Sequence, residues 1–122
     1  MKFDLTKSEI KELVSKYLYK INNLNFIIIP TLKNRVFMLD YMLDKAKARD
    51  LILNKLSVDN YRSYEIDKDF DKYGVGYVSI FICDCKLPDN RNKMRNIKVY
   101  IKIKDVDGEI PVLSMHESEG DK

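Results

Sequence analysis

A chain of 122 residues, 45% hydrophobic and 34% charged, has the length and balance of one globular domain, not of a disordered or fibrous chain. Its longest apolar run, Phe26-Ile27-Ile28-Ile29, is far too short for a membrane-spanning helix, and no basic stretch followed by an apolar core opens it, so a cytoplasmic protein without a secretion signal is expected. A net charge of +3 is too small to announce a partner by itself.

Thr6 and Glu9 have capping-box spacing, and Ile10, Leu13, Val14, Tyr17, Leu18 and Ile21 follow at helical spacing, which predicts a first helix ending at Asn22-Asn23. Residues 24–29 form a short apolar run cut by Pro30, suited to an edge strand. Leu32–Met42 reads as a second helix with Val36, Leu39 and Leu43 along one side. Asp44 is the N-cap expected for a third helix, Lys45–Leu56, burying Ala48, Leu51, Ile52 and Leu56. Ser57–Asn60 reads as a turn, and residues 63–74 as a polar, acidic loop. Gly74-Val75-Gly76 is too short for a phosphate-binding loop and no helix follows it, so it reads as a turn.

Beyond residue 76 the period changes from helical to strand-like. Tyr77–Lys86, Ile97–Val106 and Ile110–Glu117 are the predicted strands, joined by a long basic loop, Pro88–Asn96, and an Asp107-Gly108 turn. A mainly helical stretch (residues 1–56) before an antiparallel sheet (residues 76–118) predicts an α+β fold within a single domain, residues 1–122, with the helices on one sheet face. Cys83 and Cys85 fall on the same side of one strand, too close for ordinary disulfide geometry. With a single histidine in the chain, they read as structural thiols and not as metal ligands, and no metal or cofactor is expected. Phe81 and this cysteine face are expected under a loop or at a dimer contact, with Tyr61 and Tyr64 as packing residues.

The charge distribution is more informative than its sum. Lys86, Arg91, Lys93, Arg95, Lys98, Lys102 and Lys104 meet a single Asp89, between acidic flanks at 59–71 and 105–121. Such a block is either a solvated lysine-rich face or a local anion site. In the second reading Lys86, Arg91, Lys93, Arg95, Lys98 and Lys104 contact RNA phosphates.

Alternation gives the faces of the sheet. Val99, Ile101 and Ile103 point to the core, and Lys98, Tyr100, Lys102 and Lys104 away from it; Leu113 and Met115 alternate likewise with Ser114 and His116. Face polarity favours a three-residue loop, Asp107-Gly108-Glu109, with Val106 across from Ile110 and Tyr100 opposite His116. A two-residue turn would put His116 opposite Val99, on the apolar face. Lysines, a tyrosine and the only histidine on one face can bind a phosphodiester. They can also cleave one whose own 2′-hydroxyl attacks phosphorus, because the protein then supplies only proton transfer and a cation. That chemistry needs no metal.

Three stretches resemble a known family. ARDLILNKLSVDNYRS (Ala48–Ser63) is similar to a helix followed by a D-x-Y-[KR] element, VYIKIK (Val99–Lys104) to a V-Y-[LI]-K-[IL] strand, and VLSMHESE (Val112–Glu119) to a V-S-F-[KH]-E last strand. In this order they resemble the motility quorum-sensing regulator (MqsR) toxins, endoribonucleases with the RelE-like microbial RNase fold. The likeness covers residues 46–118, about 60% of the chain. It implies that Arg62, Tyr100, Lys102 and His116 are catalytic, that messenger RNA is the substrate, and that a cognate antitoxin protein holds the toxin inactive. A first-strand glutamine of some relatives has no counterpart at Val78 or Ser79, and the first 30 residues have no match. Two further readings stand beside this one: a non-catalytic RNA- or protein-binding module of the same fold, and a structural or inhibitor protein whose polar sheet face meets an acidic partner.

Overall fold

The computed structural model describes residues 2–67 and 72–118; residues 68–71 of the predicted acidic loop, and Glu119 and Asp121 of the acidic tail, lie outside the described residues. Three helices, α1 (Lys7–Asn23), α2 (Leu32–Asp40) and α3 (Lys45–Lys55), accompany six strands: β1 (Lys2–Phe3), β2 (Asn25–Ile28), β3 (Tyr61–Asp67), β4 (Gly76–Pro88), β5 (Met94–Asp105) and β6 (Glu109–Glu117). The strands form one mixed sheet in the order β1-β3-β4-β5-β6-β2, antiparallel except where β2 runs parallel to β6. The fold is α+β, as the change of period predicts.

Each helix starts where its cap does. Thr6 and Glu9 close the capping box reciprocally at 3.2 and 2.9 Å, and the Asp44 carboxylate accepts the Lys47 N–H at 2.8 Å. Val14, Tyr17 and Ile21 of α1 and Ala48, Leu51 and Ile52 of α3 meet Phe81, Val99, Ile101 and Ile103 in a single core on the helix side of the sheet. Cys83 and Cys85 belong to that core, not under a loop or at a dimer contact; Cys83 lies below the end of α3, where its thiol donates to the Lys55 carbonyl.

The sequence expectations need four corrections. First, α2 presents Asn34 and Phe37 inward, and leaves Val36 and Leu39 exposed. The buried Asn34 amide, bonded to Ile29, Leu113 and Met115, holds the opposite side of the helix against β6. Second, residues 63–67, expected to begin a loop, belong to strand β3: its polar Ser63, Glu65 and Asp67 sit on the face away from the helices, which hides the alternation. Third, the long loop shrinks to residues 89–93, because β4 runs on to Pro88 and β5 begins at Met94. Asp89 closes it by accepting the N–H groups of Arg91 and Lys93, with Asn92 at φ 63°.

The fourth correction concerns the β5–β6 hairpin. Tyr100 pairs with His116 and Lys102 with Ser114, but the next pair is Ile103 with Val112, so Leu113 is an extra residue, a β-bulge. Carried to the turn, that register leaves a two-residue Asp107-Gly108 connection with Gly108 at φ 79°, and Val106 no longer faces Ile110. The short turn and the polar placement of His116 are thus both realised, reconciled by the bulge.

Candidate nucleic-acid interface

On the face away from the helices, Tyr100 and His116 are directly cross-strand and their rings stack, with centroids 5.1 Å apart and planes 12° from parallel. The His116 Nδ1 lies 3.1 Å from the Glu117 carbonyl oxygen. A carbonyl only accepts, so Nδ1 is the donor in this contact and Nε2 is the ring nitrogen left for a ligand. Burial pushes the Tyr100 phenol above its ordinary pKa, an effect the neighbouring Lys102 opposes. The phenol is therefore a hydrogen-bond donor at neutral pH, not a phenolate.

Lys102 lies two residues along β5 on the same face. Its ammonium is 3.4 Å from Asp67, on the far side of the Lys102 row from Tyr100 and His116. Asp67 is buried and also meets Lys104 at 3.4 Å. Lys104, expected to be an exposed RNA contact, is fully buried: it donates to the Gly74 carbonyl, and its stem lies so close to Gly76 that a Cβ there would come within 3.0 Å of it. Alternation placed it on the correct face, but that end of the face is covered. It offers no charge to a ligand.

Arg62 stands apart from the stacked pair. It is the extra residue of a second bulge, between the Tyr61–Phe81 and Ser63–Ile80 pairs, on a strand two removed from β5, which is about 10 Å across the sheet. Its guanidinium donates to the carbonyls of Asp59 and Tyr61, both at 3.2 Å. Tyr100, Lys102 and His116 thus share one patch, and Arg62 lies to the side of it.

The remaining basic residues follow a different geometry. β3 reaches β4 only as far as Ile82, whose N–H meets the Asn60 carbonyl, and β6 reaches β5 only to Val99 and Lys98. Beyond these points, among the described residues, β4 and β5 pair with each other alone, as a two-stranded ribbon. Lys86, Arg91, Lys93, Arg95 and Lys98 are all exposed on it. Lys98 meets Asp84 at 2.9 Å, which holds that carboxyl below its usual range. So exposed a pair contributes little to stability.

Sequence reasoning missed Asn34, whose amide holds the β6 bulge, and Tyr41, whose hydroxyl donates to the Glu117 carboxylate at 3.0 Å. Neither carries a period or motif that marks it. Among the described residues, no three His, Cys, Asp or Glu side chains converge as metal ligands, and no helix is long and apolar enough to cross a membrane. Comparison with protein-family models, curated proteins and solved structures finds no match to this chain.

Proposed function

We propose that this chain is a metal-independent endoribonuclease: a cytoplasmic toxin of RelE-like fold that cleaves messenger RNA and is restrained by a cognate antitoxin. The observation that carries the reading is the Tyr100–His116 stack, which fixes an imidazole, its Nε2 left for a ligand, on a face flanked by exposed cations. His116 takes the proton of the ribose 2′-hydroxyl, whose oxygen attacks phosphorus. The bond to the 5′-oxygen breaks, that oxygen is protonated from solvent, and a 2′,3′-cyclic phosphate and a 5′-hydroxyl remain. The protonated Tyr100 phenol donates a hydrogen bond to the phosphoryl oxygen, and Lys102, once its ammonium swings from Asp67, brings positive charge beside it. Arg62 and the ribbon cations hold the flanking RNA.

The test is labelled RNA incubated with purified protein and EDTA, beside a His116→Ala control. Cyclic-phosphate products from the wild type alone are expected; equal cleavage by both proteins would end the reading. A second reading, a non-catalytic RNA- or protein-binding module, is favoured by the engagement of Lys102 with Asp67 and of Arg62 with backbone carbonyls. It calls for salt-sensitive RNA binding without product, weakened when the ribbon charges are removed.

A further inference from the structure

A groove of about 610 Å3 runs between α2 and the β4–β5 turn, with His116 and Glu117 among its lining residues. One wall is apolar. Leu32 and Val36 lie one helical turn apart, 70% and 45% exposed, on the outward side of α2. The other wall carries Arg91 and Arg95.

The charges in the groove are unequally committed. The Asp89 carboxylate is occupied by the N–H groups of its own turn, and the Glu117 carboxylate by the Tyr41 hydroxyl. Lys33 and Asp40, both on α2, add one charge of each sign to the lining. Among the described residues, neither guanidinium is within ion-pair distance of a carboxylate, although both, after the Lys93 N–H, help to hold the Asp89 carboxyl below its ordinary value. Exposed Leu32 and Val36 facing two solvent-exposed guanidiniums suit a ligand with a flat apolar body and a phosphate group. A groove of this size holds one small-molecule unit.

We propose that this groove is a nucleotide subsite, taking the residue of RNA next to the scissile phosphate. The base lies against Leu32 and Val36, and the phosphate on Arg91 and Arg95, which present the fork geometry that phosphate oxygens match. His116 belongs both to the groove and to the stack with Tyr100, so a nucleotide seated there delivers the adjoining phosphodiester to the imidazole. This assignment rests on the RNA-cleaving reading for its purpose, and on the groove alone for its binding.

The experiment is a titration of the full chain with each nucleoside 3′-monophosphate, and separately with inorganic phosphate, followed by amide chemical shifts. Nucleotides are expected to move Val36, Tyr41, Arg91, Arg95 and His116, and inorganic phosphate only the two arginines. Arg91→Ala with Arg95→Ala weakens both probes at least about tenfold. Leu32→Ser with Val36→Ser, at positions whose exposure spares the fold, weakens the nucleotides severalfold and leaves inorganic phosphate unchanged. Nucleotides that leave the groove unperturbed, or that bind both double variants as well as the wild type, overturn the proposal; a groove that takes only an amphipathic peptide gives that result. Cleavage measured in parallel separates the two claims. Groove binding without cleavage removes the enzyme and keeps the subsite, and cleavage without groove binding does the reverse.

Discussion

Asn34 serves Met115 as a neighbouring strand would: its side-chain Oδ1 accepts the Met115 N–H at 2.9 Å, although Asn34 lies on a helix. The same amide donates to the Leu113 carbonyl at 2.9 Å and to the Ile29 carbonyl at 2.7 Å. Leu113 is the extra residue of the β6 bulge and β2 pairs with β6 only to Val112, so Asn34 supplies partners to the stretch of β6 that β2 no longer covers. Without that extra residue, the Ile103–Val112 register would continue and bring His116 opposite Val99, on the core side. A helix side chain thus braces the stretch of β6 whose bulge sets the face of the imidazole.

Replacing Asn34 by Ala strands one buried and two half-buried backbone groups, so a loss of about 2 kcal/mol is expected in urea unfolding. Asn34→Asp keeps the acceptor for Met115 but sets a carboxylate against two carbonyl oxygens, and should also be destabilising. The nuclear Overhauser effect between the Tyr100 and His116 rings reports the register directly. If that contact and the full stability survive in Asn34→Ala, the amide does not hold the bulge.

The buried Asp67–Lys104 pair predicts an asymmetry between its two partners. Asp67→Ala removes the anion beside a fully buried ammonium, which is expected to cost about 3 kcal/mol or more. Lys104→Met removes the charge and keeps most of the stem volume, while Asp67 retains Lys102, so the loss should be much smaller. Thermal denaturation of the two variants decides this. Equal losses would mean that the desolvated ammonium is not what Asp67 serves.

Alkaline pH should weaken the fold before it changes the surface. Burial pushes the Cys83 thiol up to about 12, and burial also raises the Tyr17 phenol, which bonds Ser79 at 2.6 Å within the core. In the unfolded chain these groups ionise near about 8.5 and about 10. As pH rises through that range the unfolded chain releases protons that the folded chain keeps, so stability is intact below about pH 8 and falls towards pH 12. The urea midpoint measured at several pH values is expected to show this, with a shallower fall in Cys83→Ala. A midpoint constant to pH 11 would contradict the burial of both groups.

What could be read from the sequence was what has a period or a cap. The Thr6–Glu9 box, the Asp44 cap and the alternation along β5 each depend on residues close in the chain, and each appears where expected. The face of α2 was misread because its outward Val36 and Leu39 have core-like spacing, whereas its inward anchor is a polar Asn34 whose partners are about 80 residues away. β3 was hidden because half of its alternation is spent on Ser63, Glu65 and Asp67. The Tyr100–His116 pairing followed from face polarity, but the bulge that produces it is braced by a helix side chain that no local pattern shows. Burial of Lys104 depends likewise on the covering Gly74–Gly76 segment and on Asp67, all distant in the chain.

In the proposed cleavage the Tyr100–His116 pair makes two separable contributions, and two substitutions tell them apart. Tyr100→Phe keeps the stacked ring and removes the hydroxyl, which burial holds protonated and therefore available as a donor to the phosphoryl oxygen. Loss of one such donor is expected to slow RNA cleavage by about 100-fold. Tyr100→Leu removes the donor and the ring together, freeing the imidazole to leave its stacked orientation, so cleavage should be slower again and the His116 ring protons should move. His116→Ala sets the floor, about 100-fold to 10,000-fold below the wild type. Equal rates for Tyr100→Phe and the wild type would remove the hydroxyl from the mechanism. Equal rates for Tyr100→Phe and Tyr100→Leu would show that the ring does nothing to position His116, and the stack would then be a packing contact with no part in catalysis.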